Sequence, residues 1–440
     1  MTYANGTADP VGLDATRFET RIGHEGYVRR LPERVTRTIT ASKLEVTDRF
    51  REVVDLFGED HQETPAGFRI ETATHGSVTS VDLVRDIGYE RGGTPRPTPL
   101  LFSADSANPY EVSDCAPLIA NVTCNPGIVY DLFINNPDAN IGGHFTTLDE
   151  VLVELSKAAG PGCDVSVEIA NPYGDINEIL EEVARYEEIL TRHRLVVKVP
   201  HTGPLSADTA GDLLKGNGLL RKRYNSGAPR DMLRGHALAR QLHDLGHRVN
   251  FTLMFEPHQT PLALQARPYF INAFVRHRAD ATRRMRGFVA AYDATSDEQF
   301  VADLRDYLVR MDYLGTDDKA LDLLTVLRLT RTLLRQRDDG PDDGMDSVRR
   351  SLRWLSTTHL PETRLIVCSM DGEQMFPDLM TMLSEPEFLP LHRRVLVTAD
   401  PAYLARWTTS PHVVTYQRRF LSAVRSAPDA LSASTSSSRS

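Results

Sequence analysis

Eight short apolar runs recur from residue 99 onward, and their spacing constrains the fold more than any other feature of the chain. They are LLFSAD (100–105), APLIANVT (116–123), DVSVEIA (164–170), RLVVKVP (194–200), RVNFTLMF (248–255), RPYFINAF (267–274), RLIVCS (364–369) and RVLVTAD (394–400). Runs of this length and character suit strands buried on both faces of a sheet. Helical patterns separate most of them. In DINEILEEVARYEEIL (175–190), Ile176, Ile179, Leu180, Val183 and Ala184 share one face, and Asp175 with Glu178 has capping-box spacing. Eight buried strands alternating with helices predict an α/β fold, a closed (β/α)8 TIM barrel. An open doubly wound sheet shares the alternation, but no Gly-rich dinucleotide loop follows the first strand.

The barrel region runs over 99–425, with two separators too long for simple crossovers, at 203–227 and 279–360. Insertions on the strand-to-helix side lie over a barrel mouth, where active sites form. Ahead of the barrel, residues 1–20 read as disordered and 21–98 as a helical extension. Helix is expected between about 30 and 60, where Leu44, Phe50, Val53, Val54 and Phe57 fall largely on one face and Gly58 closes the pattern. From 66 to 98 the pattern is weak. Two uses stand open for the extension, covering the barrel base or making a homodimer contact. The Ser-rich tail, 426–440, reads as disordered.

Formal net charge is −10 and the pI is near 5.8, which favours neither nucleic acid nor an anionic membrane as a partner. The basic run Arg221-Lys222-Arg223 reads as solvated surface. Four scattered cysteines (115, 124, 163 and 368) without a CxxC pair fit a reducing compartment. No signal-peptide pattern opens the sequence, and no apolar run approaches the ~18 residues that cross a bilayer. The expectation is a soluble cytoplasmic protein. His243 and His247 have the spacing of a metal-binding helix pair, but Gly246 breaks the turn between them, so a helix end is the better reading and no metal is expected.

Strand C-termini in such a barrel converge on one mouth. They would bring Asp105, Asn125, Glu168, Lys198, Asn250, Thr252 and Asn272 together there, with His201, Thr202 and Glu256 just beyond. A lysine in an apolar strand is unusual, because ammonium groups are rarely buried without a partner. A structural ion pair with Glu168 is the plain alternative. The polar rim favours chemistry: an unprotonated amine attacks a ketone, and the iminium accepts electrons as the adjacent carbon–carbon bond breaks. Carboxylates would move protons, while amides and hydroxyls hold sugar hydroxyls.

These segments resemble the transaldolase family. VTCNPGI (122–128), VSVEI (165–169), LVVKVP (195–200), VNFTLMF (249–255) and INAFVRHR (271–278) are similar to its motifs in the same order. SAD (103–105) and VLVTADPAYLARW (395–407) are similar to its first and last strand segments. The resemblance implies that Lys198 forms the Schiff base, that Glu168 acts through a catalytic water held by Thr252, and that Asp105 is the acid/base. Asn125 and Asn250 would bind the dihydroxyacetone-type unit. It further implies transfer of a three-carbon ketol between sugar phosphates, with no metal or organic cofactor.

Two family motifs are altered. Where the family has a serine and an arginine that contact phosphate on the sixth strand, this chain has Asn272 and His277, with Arg276 and Arg278 beside the latter. On the seventh strand Ser369 is kept, but Asp371 occupies the arginine's place. An aspartate repels phosphate where a bidentate arginine would attract it. The expectation is intact carbon-bond chemistry on a non-standard or unphosphorylated sugar, in specialised metabolism. An aldolase without transfer, and an inactive barrel used as a scaffold, are the alternatives.

Overall fold

A computed structural model of the protein describes residues 3–4, 18–58, 64–160, 162–337 and 344–426. Residues 100–399 contain eight strands: β1 (Leu101–Asp105), β2 (Ile119–Cys124), β3 (Asp164–Glu168), β4 (Arg194–Pro200), β5 (Arg248–Thr252), β6 (Phe270–Phe274), β7 (Arg364–Cys368) and β8 (Val395–Ala399). All pair in parallel, and β8 closes on β1, giving a (β/α)8 barrel with no free sheet edge. Each strand coincides with one of the eight apolar runs. Closure buries both faces, which is why the runs are continuous rather than alternating. Helix Ile176–Ile189 forms where expected, with the Asp175 carboxylate accepting from Asn177 N (2.8 Å) rather than completing a box with Glu178.

The separator at 279–360 divides differently from the expectation. Helix Val275–Thr295 starts directly at the end of β6 and packs with helices Gln299–Arg310 and Leu323–Arg335 around Met285, Leu304, Leu308 and Val326. Helix Met345–Ser356, by contrast, packs on β6 and β7 and is the barrel's own crossover. The 203–227 segment joins this three-helix addition. Thr316 N donates to Leu220 O (2.9 Å), Leu220 N donates to Asp312 Oδ1 (3.0 Å), and Arg223 pairs with Asp318 (3.0 Å). Gly315 is obligatory at this seam, because a Cβ there would stand 2.2 Å from Arg221 O.

The extension at 21–98 holds a sheet as well as helices. Its five strands lie in the order Tyr3–Ala4, Glu19–Arg21, Lys43–Val46, Val78–Arg85, Phe68–His75. Lys43–Val46 interrupts the helix expected over 30–60; its alternating burial, with Leu44 and Val46 inward, has the period of a strand. Helix occupies Glu33–Thr38 as expected and resumes at Asp48, after Thr47, whose Oγ1 accepts from Phe50 N (3.1 Å). Phe50, Val54 and Phe57 pack with Leu44, Val81 and Leu83 into one core. Ile87, just past the hairpin, is fully buried with Leu101, Val196, Tyr269, Phe270 and Leu396, so the extension plugs the barrel base. The pairing of Tyr3–Ala4 with Thr20–Arg21 replaces part of the disorder expected over 1–20; the rest of that expectation, and the tail at 427–440, lie outside the described residues.

Residues 400–426 form a separate unit of two helices, Pro401–Arg406 and Pro411–Ser426, the first capped by Asp400 through Ala402 N (2.8 Å). Among the described residues no helix is long and apolar enough to cross a membrane.

Candidate active site

Strand register places the central residues at one level. Lys198 is the Cα partner of Glu168 on β3 and of Asn250 on β5. Neighbours in register on parallel strands point to the same face, so all three side chains share the barrel interior. Lys198 is buried, with Nζ 3.4 Å from Glu168 Oε2 and donating to Cys124 O (3.1 Å). Thr252, two residues beyond Asn250 and buried, shares its face.

Asn250 is oriented by a neighbour. Asn272 Nδ2 donates to Asn250 Oδ1 (2.6 Å) and to Phe251 O (2.9 Å). Both bonds are made by the Asn272 amide, which pins the Asn250 carbonyl and turns the Asn250 NH2 outward from the pair. That NH2 is fully buried and has no acceptor among the described residues. A buried donor left unmatched costs roughly 1–3 kcal/mol.

Asp105 belongs to the same charged group. The Cys124 thiol is pushed up to about 12, chiefly by burial, while Lys198 draws it down and Asp105 and Glu168 push it further up. Cys368 is raised in the same way, with Asp105 and Lys198 again acting on it. Lys198 and Asp105 therefore both act on these two buried thiols. Asn125 has one structural bond of its own. Its Oδ1 accepts from Ile128 N (3.0 Å) at the start of the following helical turn, while the residue lines, with Glu168, Glu182 and Tyr130, a cleft of about 240 Å3.

Sequence reading missed the layer beneath. Asn121 Nδ2 donates to Ser103 Oγ (2.8 Å), and Ser166 Oγ donates to Asn121 Oδ1 (3.1 Å), all buried. Ser103 and Ser166 lie two residues before Asp105 and Glu168, so the period of a strand carried the signal. Two left-handed residues also end strands here: Leu253 (φ 58°) after Thr252 and Ser369 (φ 57°) after Cys368. Such conformations are costly outside glycine and cluster at functional sites. Gln259 braces the first, accepting from Phe255 N (2.7 Å) and Glu256 N (2.8 Å). Ser369 Oγ is buried without a partner among the described residues.

Of the altered phosphate positions, Asn272 joins the lysine group through Asn250, while Arg276, His277 and Asp371 make other contacts. Arg276 pairs with Asp371 (3.5 Å), its backbone N donates to Ser369 O (2.9 Å), and the pair lines a cleft of about 390 Å3 with Arg283, Glu373 and Asp378. His277 stacks near Phe255 (5.6 Å between centroids) and is held below the ordinary histidine range by burial and then by Arg276. Arg278, on the first helix of the addition, pairs with Asp346 (2.5 Å) on the crossover helix and with Glu256 after β5; Arg337 also pairs with Glu256. The basic run binds acids of the addition: Arg221 with Asp317 (3.6 Å), Arg223 with Asp318. His201 and Thr202 also stay out of the mouth. The His201 ring packs on Phe251 and His236, and Thr202 Oγ1 donates to Asp231 O (3.0 Å). His247 lies past the helix end at Gly246 (φ 95°) and contacts Glu187 (3.0 Å).

The molecule is thus a closed (β/α)8 barrel whose fourth strand carries a buried lysine beside a glutamate, with an oriented asparagine on the next strand. The chain belongs to the transaldolase/fructose-6-phosphate aldolase family, which it matches over residues 102–327. No curated protein matches it. Among solved structures it is similar to a flavocytochrome b2 variant with sulfite bound, at 11% identity and a TM-score of 0.28, over 75% of this chain and 60% of that one, less than two thirds of its length.

Proposed function

We propose that the protein is an aldolase-type enzyme in which Lys198 forms a Schiff base with a ketose and passes a three-carbon ketol unit to an aldehyde acceptor. The Lys198–Glu168 pair, buried at the barrel rim beside Asn250, carries this reading. In it, Nζ attacks the ketone carbon, and the carbinolamine loses water with proton transfers through Glu168 and a water held by Thr252. Asp105 takes the hydroxyl proton as the carbon–carbon bond breaks, and the iminium receives the electron pair as an enamine. Addition of the enamine to an aldehyde gives transfer; protonation gives simple cleavage. Asn250 Nδ2 donates to a substrate hydroxyl.

The substrate is a sugar lacking the usual terminal phosphate, or differently charged. Supporting this, Arg276 is already paired with Asp371, and His277 is held toward its neutral form. Borohydride reduction after incubation with a panel of phosphorylated and unphosphorylated ketoses tests both levels. Mass spectrometry is expected to find a sugar adduct on Lys198, absent in Lys198→Met and strongest for an unphosphorylated ketose. No adduct from any ketose would end the Schiff-base reading; strongest trapping with fructose 6-phosphate would end the substrate reading alone.

A further inference from the structure

The barrel base, opposite the lysine, carries an unusual charge. In a chain of net charge −10, a cleft of about 580 Å3 between the extension and the strand N-termini is lined by Arg69, Arg96, Arg364 and Arg393, against Asp86 and Glu362. Part of this set ties the two halves together: Arg364 pairs with Asp86 (2.8 Å), and Arg69 reaches Asp86 (3.4 Å) and Glu362 (3.9 Å). The remainder is unmatched. Among the described residues neither Arg96 nor Arg393 has a carboxylate in ion-pair range; Arg96 Nε donates to Ile87 O (2.8 Å), leaving its terminal nitrogens, and Arg393 is exposed.

Behind the cleft the excess continues. Arg364 and Arg194 both donate to Tyr269 Oη (3.0 and 2.9 Å), and the guanidiniums of Arg194, Arg248 and Arg364 lie 5.5–5.7 Å from that ring's centroid. Asp164, 3.2 Å from Arg194 Nε, is the acid within this group. Arg85 is drawn down to about 9, first by burial and then by Arg194. Seven arginines thus share four carboxylates, Asp86, Glu362, Asp164 and Glu71, the last paired with Arg69. Pairing the two halves of the molecule needs no such surplus, and concentrating like charge without a counterion is unfavourable.

We propose that this cleft binds a phosphate-bearing small molecule. Guanidinium forks match phosphate oxygens in pairs, and the volume suits an organic phosphate rather than a bare ion. The site is separate from the lysine mouth, since Leu101 and Arg364, which line it, are the first residues of β1 and β7.

Calorimetric titration of the full-length protein with pyrophosphate at low ionic strength tests the proposal. The expected result is one saturable site, weakened by added salt. Affinity should fall at least tenfold in Arg96→Ala/Arg393→Ala and remain unchanged in Arg276→Ala. Arg393→Ala alone, at an exposed residue without an ion-pair partner among the described residues, keeps the test valid if the double variant misfolds, and it should weaken binding at least threefold. Absence of binding, binding indifferent to Arg393, or binding lost in Arg276→Ala would each overturn it.

Discussion

His201 shows how one step along a strand separates chemistry from packing. Lys198 faces the barrel interior, while His201, an odd number of residues later, packs its ring against Phe251 and His236 on the helix side. Burial, and next the neighbouring His236, draw it from 6.5 to about 3, and its Nε2 is buried without a partner among the described residues. His24 and His193 are also lowered, each mainly by burial. The folded state therefore binds these protons less readily than the unfolded one. Their contribution is complete above 6.5 and is lost as pH falls through 6.5 toward the folded values, at up to ~1.4 kcal/mol per pH unit for each group. Urea midpoints at pH 7 and pH 5 are expected to show a fall at the lower pH, and His201→Phe should make that fall smaller. An unchanged pH dependence in the variant would refute the assignment.

At the scale of elements, the three-helix addition is fastened by buried charge. Arg278, on the first turn of helix Val275–Thr295, is 1% exposed at its side chain and bridges Asp346 on the crossover helix to Glu256 after β5. Removing one partner of such a network leaves uncompensated buried charge and costs roughly 3–5 kcal/mol. Arg278→Met should therefore lower the thermal midpoint markedly, and adding Asp346→Leu should recover part of the loss. Equal stability of Arg278→Met and the parent would show that the network is not holding the addition. None of this could be seen from INAFVRHR. Arg276 and Arg278 look alike in sequence, but one pairs with Asp371 and the other is drawn inward by an aspartate 68 residues away. The helix expected across 43–46 failed for a related reason: Lys43–Val46 becomes a strand by pairing with Val78–Val81, which local periodicity does not register.

Across the described barrel and its N-terminal extension, Ile87 is a residue of the extension that packs in the barrel-base core. It is fully buried at the barrel base, so Ile87→Ala is expected to cost about 2–5 kcal/mol, read from the urea midpoint. A loss near zero would mean that the extension does not seal the base. The sequence alone determined the eight barrel strands, their order and the residues at their rims. Strands buried on both faces announce themselves as continuous apolar runs, and a polar residue ending such a run is conspicuous. Tertiary structure decided which rim residues meet. It set Lys198 beside Glu168 and Asn250, tied Arg276 to Asp371 instead of the lysine site, assigned Met345–Ser356 to the barrel, and gathered arginines from distant segments at its base. Those outcomes depend on closure of the sheet and on charge pairing between residues far apart in the chain, for which local pattern holds no signal.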